Sequence, residues 1–599
     1  MTTLPVRNLF NQTPLPRGFL LVALTVTCFA LSLTARAASR NTAYGNLALD
    51  NVSGDSNSAF GEVALRLDTS GSFNTAIGDS ALYNNSSGYY NTASGVNALV
   101  SNTTASYNTA DGFDSLYHNK TGINNTATGS YALYSNVYTS NNTATGYQAL
   151  YTNTDGADNT ATGAYALLGN TSGNYNTATG FGSLQLNTTG GNNAADGFYS
   201  MYRNTSGVDN AASGYEVLFT NDSGSYNAAT GFQAMFSNSN GNYNTAMGYL
   251  ALYNNSSGID NVAIGGKALY GNTASEETAI GYGTLYLNTT GTQNTACGFK
   301  ALLSNTTGYG NTATGYEALY NNTANANGYG YFNTATGDSA LLDNTTGYVN
   351  TATGVGALGL NTIGYGNTAT GYYALDMNKI GNNNTADGSN ALEYVTGSNN
   401  IGLGAGAGSG LTNGNNNIDI SATGAPGDAN TIRIGRQGVQ KSAFMQGIFG
   451  ATVTGTAVVV DSSGHLGVAS SSERFKDQIK PMDKASEAIL SLKPVTFRYK
   501  HNVDPKSTPQ FGLIAEEVEK VDPDLIVRDS DGKLFTVRYE AVNAMLLNEF
   551  LKEHSKVQEQ GAMIARQQKQ IEALTAGLQK VSAEIEANNA GPRVVDNAQ

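Results

Sequence analysis

The sequence predicts a mainly β protein built around a parallel β-solenoid, and three observations carry that expectation. A short unit recurs at a nearly constant period, small residues hold fixed places within it, and charge is sparse. Of 599 residues 13% are charged and 71 are Gly, while Trp is absent. Such bias marks a repetitive chain rather than a string of ordinary globular domains.

The repeat is plainest in NTATGYQALYTNT and NTATGYEALYNNT, and it starts at 22 places from Asn41 to Asn400. Starts lie 17 residues apart in most intervals, 16 in three and 22 in one. A fixed short period of this kind means stacked structural units. Gly fills the fifth position of every copy, from Gly45 to Gly404, and Ala the third in all but the last. Ala-Leu fills the eighth and ninth in most, as in Ala149-Leu150 and Ala318-Leu319. A 17-residue unit is too short for two helices with two turns, and it fits two short strands with two corners. Corners such as NNSSG at 84–88 have the Asn and Gly that tight turns demand, and stacked Asn side chains form hydrogen-bonded ladders. The expected domain runs over 38–404 as a rod of 17-residue coils, about 100 Å long at the usual strand spacing of about 4.8 Å. One coil buries little beyond Ala, Gly, Leu and one Tyr. The recurrent Leu and Tyr then form a continuous apolar stripe, which a homotrimer covers.

Ahead of the rod, Arg7 and Arg17 precede the apolar run GFLLVALTVTCFALSLTARA, which ends in Ala35-Arg36-Ala37. This pattern predicts a signal peptide over 1–37 and an exported protein, secreted or on the cell surface. Its removal takes away three Arg and no acid and moves the net charge from −14 to −17, which opposes a nucleic-acid partner. Cys28 leaves with the signal peptide and Cys297 stays alone, so no intrachain disulfide is expected.

Other motifs in the rod carry less. The second Thr of the TAT triplet gives way to Ile77, Asp111, Asp196, Met247, Ile264 and Cys297, which breaks the regular Thr rank an ice-binding face needs. The many Asn-x-Ser/Thr triplets fall where the repeat turns. GLGAGAGSG at 402–410 reads as a transition loop, because no strand, turn and helix context makes it a dinucleotide site. The four His, at 118, 465, 501 and 554, are not spaced for a metal, and no cofactor is expected.

Residues 405–470 lose the period but keep strand chemistry in NTIRIG and TAVVV, which predicts a β-rich neck. A small α+β module is expected over 471–549. It holds a helix near MDKASEAILSL, a strand in PVTFRYK, a helix in GLIAEEVEKV and a hairpin turning at DSDGK before VRYEAVNAMLLNEFLKEH. Phe550, Val557, Ile564, Ile571, Leu578 and Ile585 then stand seven apart, with Leu574 and Val581 in the companion position and Gln560 and Gln567 there earlier. That spacing predicts a coiled coil over 550–587, followed by a disordered tail at 588–599.

Two resemblances extend this reading. Units such as NTAIG at 74 and NVAIG at 261 resemble the head repeats of trimeric autotransporter adhesins, which implies a left-handed β-roll in a trimer. The repeat is longer here than is typical of that family, and its C-terminal membrane-barrel strands are not found, the sequence ending PRVVDNAQ. The likeness therefore bears on the rod and not on its anchoring.

SSERFKDQI, LKPVTFRYK, QFGLIAEEVE and TVRYEAVNAML, in that order, resemble the intramolecular chaperone of the S74 peptidase family, found at the ends of phage tail spikes and fibres. The resemblance implies a segment that assists trimerisation of the preceding fibre and then cuts itself off at a Ser-Lys dyad. On this sequence the matching positions are Ser471 as nucleophile and Lys476 as general base, with the scissile bond between Ser470 and Ser471. Ser472 stands where the family motif has Asp. A Ser hydroxyl becomes a nucleophile when a base takes its proton, and an amine is such a base only when its surroundings disfavour the ammonium.

The expected function is an exported trimeric fibre with a self-cleaving chaperone, a single-turnover serine endopeptidase acting on its own chain. A phage-derived tail fibre or spike is the alternative, and a free protease the third reading. The expected partners are further copies of the chain, with an unknown cell-surface or polysaccharide ligand for the rod.

Overall fold

The computed structural model describes residues 40–591 apart from 51, 324–328, 437, 441, 446–453, 462, 530 and 590. The expected signal peptide over 1–37 and the tail residues 592–599 lie outside the described residues. The chain divides into two compact units between Arg436 and Gln437.

The first unit is a parallel β-solenoid. Twenty-four three-residue strands, from Thr42–Tyr44 (β1) to Ile432–Ile434 (β24), form one parallel sheet. Successive strands pair in register, as Thr143, Ala144 and Thr145 do with Thr160, Ala161 and Thr162. Period-two alternation sends both Thr outward and the Ala inward, and Ala144 and Ala161 have no exposed surface. A methyl group is the side chain this narrow interior takes. The glycine after each strand is fixed for a sharper reason. Gly146 sits at φ +136, and a Cβ there would lie 2.5 Å from the carbonyl oxygen of Gly163 in the next coil.

The rest of each coil corrects two expectations. Among the described residues no second strand forms. Gln148 (φ 55) and Leu150 (φ 52) are left-handed, which interrupts any extended run, although their N–H groups still bond between coils to Ser130 O (3.0 Å) and Ala166 O (3.0 Å). This curl turns Leu150 into the interior, where it is fully buried. The ninth-position leucines are therefore core, and the outward apolar surface is largely aromatic, with some aliphatic side chains such as Leu186 and Leu287. In it Phe198, Tyr215 and Phe232 stack at centroid distances of 5.3 and 5.1 Å.

The expected Asn ladders are present as two buried columns. In one, Asn176 Nδ2 donates to Asn159 Oδ1 (3.1 Å) and to Gly190 O (2.9 Å). In the other, Asn170 Nδ2 donates to Asn153 Oδ1 (2.8 Å) and Gly173 O (3.0 Å). Both kinds of bond spare a turn carbonyl and an amide from burial without a partner, which would cost about 1–3 kcal/mol each.

The solenoid also runs past the boundary drawn at 404. Ile418–Ile420 and Ile432–Ile434 are strands of the same sheet, and the segment read as a transition loop buries Ala407 as earlier coils bury their Ala. The ladder continues, with Asn417 Nδ2 donating to Asn400 Oδ1 (3.0 Å) and Thr431 N to Asn417 Oδ1 (3.1 Å). Gly402 and Asp419 take the place of the inward Ala, so the letter pattern fades while the hydrogen bonds persist.

In the second unit, Val458–Val460 and Leu466–Val468 form an antiparallel hairpin. Its turn is held by Asp461 Oδ1, which accepts from Ser463 N and His465 N at 2.9 Å each. Beyond the module described below, one unbroken helix spans Tyr539–Asn588. Among the described residues no helix is long and apolar enough to cross a membrane.

Candidate functional site

The segment that carries the predicted dyad turns once and then extends. Ser472 is extended (φ −65, ψ 137) and opens a single 3₁₀ turn, Glu473–Phe475, which Phe475 N→Ser472 O (3.1 Å) and Lys476 N→Glu473 O (3.0 Å) hold closed. Lys476 leaves it extended, and the Arg474 guanidinium lies over the Phe475 ring at 4.6 Å. Ser471 and Lys476 thus flank one turn, a placement that carries the chain sharply around between them. Ser470, Ser471, Ser472 and Lys476 are all exposed. Among the described residues no hydrogen bond joins the Ser471 hydroxyl to Lys476. The burial that would make the amine a base is not supplied by one chain.

Downstream lies a small α+β fold. Val495–Phe497 pairs antiparallel with Gln510–Gly512, the short helix Ala515–Val521 follows, and Ile526–Arg528 pairs with Leu534–Val537 around the DSDGK turn. Asp522 caps the 3₁₀ turn Pro523–Leu525 by accepting from Asp524 N (3.0 Å). Among the described residues its buried apolar core is Val518, Leu525, Val537 and Met545, with partly buried residues such as Ile489 and Leu513 against it. Tyr539 ties the long helix to the sheet, its hydroxyl accepting from Leu513 N (2.9 Å). By contrast Phe511, at 82% exposed, and Phe535 and Leu490, at 72% each, stand in solvent. The expected helix near MDKASEAILSL is a 3₁₀ helix, Asp483–Ser491.

A Ser-Lys contact with no strong signal in the sequence joins that 3₁₀ helix to the long helix. Ser486, fully buried, donates to Glu549 Oε1 (2.5 Å) and accepts from Asn548 Nδ2 (2.7 Å) and Lys552 Nζ (3.2 Å). Lys552 also pairs with Glu549 Oε1 at 2.6 Å. Hydrogen bonds from Lys552 and Ser486 hold the Glu549 carboxyl below the usual carboxylate range. An ammonium in that ion pair has no lone pair for a proton, so this cluster is a clamp and not a catalytic dyad. The spacing of 548, 549 and 552 on one helical face was its only signal in the sequence.

Comparison with known proteins assigns the segment. Residues 471–527 match the Peptidase S74 family model, the chaperone of endosialidase. No curated protein matches the chain. The S74 match begins at Ser471 itself and takes in Lys476, both sheet strands Val495–Phe497 and Gln510–Gly512, and the short helix. It stops short of TVRYEAVNAML at 536–546, where the long helix begins. Among the described residues no group of three or more His, Cys, Asp or Glu is placed to hold a metal ion.

Proposed function

We propose that the chain is an exported trimeric β-solenoid fibre whose C-terminal S74 segment promotes trimer assembly and then cuts the chain between Ser470 and Ser471. The observation that carries this reading is the S74 match beginning at Ser471, in a chain whose preceding part is a parallel β-solenoid. Trimerisation accounts for the apolar surface one chain leaves bare. Phe511 and Phe535 would be covered, and the long helix would bury Val557, Ile564, Ile571, Leu578 and Ile585, each more than half exposed in the single chain, in a coiled-coil seam.

In the proposed cut, Ser471 Oγ attacks the carbonyl carbon of Ser470 while the Lys476 amine takes the hydroxyl proton. That proton passes to the Ser471 nitrogen as the peptide bond breaks, and water then releases the ester. Lys476 is exposed in one chain, so the base would be made by burial against a neighbouring copy, which ties cleavage to assembly. Ser472, in the place of the family's Asp, leaves the N-cap position of the turn without a carboxylate, although Glu473 supplies one at the turn's first residue.

Expression of the full chain tests this reading. Trimeric wild type should yield fragments ending at Ser470 and starting at Ser471, whereas Ser471→Ala and Lys476→Gln should form trimers of uncut chain. Intact wild-type trimers would remove the cleavage, and a monomeric product would remove the assembly role. A phage-derived tail fibre or spike is the second reading, favoured by the same S74 match. Recovery of the protein from medium or cell surface free of virions would decide against it.

A further inference from the structure

The solenoid stacks tyrosine on tyrosine. Tyr309, Tyr331, Tyr348 and Tyr365 form one column, with ring centroids 5.1, 5.2 and 4.9 Å apart and interplanar angles of 11°, 27° and 7°. Backbone bonds lock the register: Phe332 N donates to Tyr309 O (3.1 Å), Val349 N to Tyr331 O (3.0 Å) and Gly366 N to Tyr348 O (3.1 Å). Each phenol is therefore held beside another that is 17 or 22 residues away in sequence. The rings are half-buried, and Tyr365 is 38% exposed, so their outer edges meet solvent and keep room to rotate. The chain holds 35 Tyr and no Trp, and Cys297 is the one free cysteine among the described residues. A one-electron oxidant reaching the solenoid thus finds phenols as its principal targets.

We propose that this column is a site of oxidative cross-linking, in which neighbouring phenols join through the ring carbons ortho to oxygen and stitch successive coils together. Each of two phenols gives up one electron and its hydroxyl proton to become a phenoxyl radical. The radicals couple carbon to carbon, and the two ortho hydrogens move to the two oxygens and restore the phenols. Two electrons and two protons leave per link, and one hydrogen peroxide takes them up to form two waters, with a haem peroxidase as the one-electron carrier. Fixed neighbours raise the effective concentration of one ring at the next far above that between molecules. The product is a solenoid whose coils cannot part locally, in a unit with no disulfide among the described residues.

The probe is hydrogen peroxide with a haem peroxidase, applied to dilute full-length protein, folded and in guanidinium. Mass spectrometry of digested monomer reads the links, each as a loss of two hydrogens. The folded chain should give linked peptides pairing Tyr331 with Tyr348 and Tyr348 with Tyr365, enriched about tenfold or more over the unfolded chain. Tyr348→Phe should abolish both while leaving Tyr309 linked to Tyr331. It should also keep the fold, because Phe219 and Phe236 stack equally well in another column at 5.0 Å and 1°. Tyrosine loss without these links, or the same pairs at equal yield in folded and unfolded chain, overturns the proposal.

Discussion

Glu277 occupies a rung of the ladder that the coils before and after it fill with Asn261 and Asn294. Its backbone N–H donates to Asn261 Oδ1 (3.1 Å), and its Oε1 accepts from Asn294 Nδ2 (3.1 Å). Oε2, buried, meets no partner among the described residues. Burial pushes the carboxyl up to about 9 from 4.5, against the hydrogen bonds from Asn294. The group is therefore protonated in the folded state at neutral pH and ionised in the unfolded one. The folded state binds the extra proton, so stability falls as pH rises from about 4.5 and the loss is complete near pH 9. Coils of 16 residues elsewhere carry Asn57 and Asn400 at this rung, so Glu277→Asn fits the shorter coil and restores the amide ladder. It should add about 1–3 kcal/mol near neutral pH and flatten the alkaline decline, with a smaller gain at pH 4. Thermal melts of both proteins across that range check it, and equal curves would show that Glu277 is already satisfied.

At the scale of the element, the columns explain both what was legible and what was not. The repeat could be read because stacking demands the same residue at the same place in each coil: Ala144 for the interior, Gly146 for its φ of +136, Asn153 for the ladder. The arm after the strand could not be read as it folds, since left-handed Leu150 and Gln148 are conformations that their residue types do not favour. Contacts between coils impose them. Ser471 and Lys476 were legible as a motif, but a dyad is a relation in space, and one chain leaves the two side chains apart in solvent. The Ser486 clamp escaped because its partners lie 62 to 66 residues away. The ladder is itself testable. Asn221 Nδ2 donates to Asn204 Oδ1 (2.7 Å) and Gly224 O (2.9 Å), and its Oδ1 accepts from Asn238 Nδ2 (2.7 Å). Asn221→Ala leaves Asn204 Oδ1 without its donor and one N–H of Asn238 without its acceptor, while Gly224 O keeps Asn210 Nδ2 (2.8 Å), so two buried groups are stranded, each worth about 1–3 kcal/mol. Hydrogen exchange should report loss of protection at the two flanking coils while distant coils stay protected.

For the solenoid as a whole, the bonds that define a coil reach only the coils next to it, joining residues about one period apart, such as Thr143 N to Asn159 O (2.8 Å) and Thr160 N to Asn176 O (2.8 Å). Stability is then a sum of coil and nearest-neighbour contributions, and phase matters more than length. Deleting 159–175, one whole coil, joins Asp158 to Asn176 with every column still in step. Asn176 would take the place of Asn159 against Asn142, and Ala178 that of Ala161. Deleting 159–167 removes fewer residues but brings Leu168 to the place of a ladder Asn and throws the inward Ala out of its column. The longer deletion should therefore melt within a few degrees of wild type and resist proteolysis equally. The shorter one should be cut at the junction and lose its cooperative transition. If the shorter deletion were tolerated as well as the longer, the columns would not be what specifies this fold.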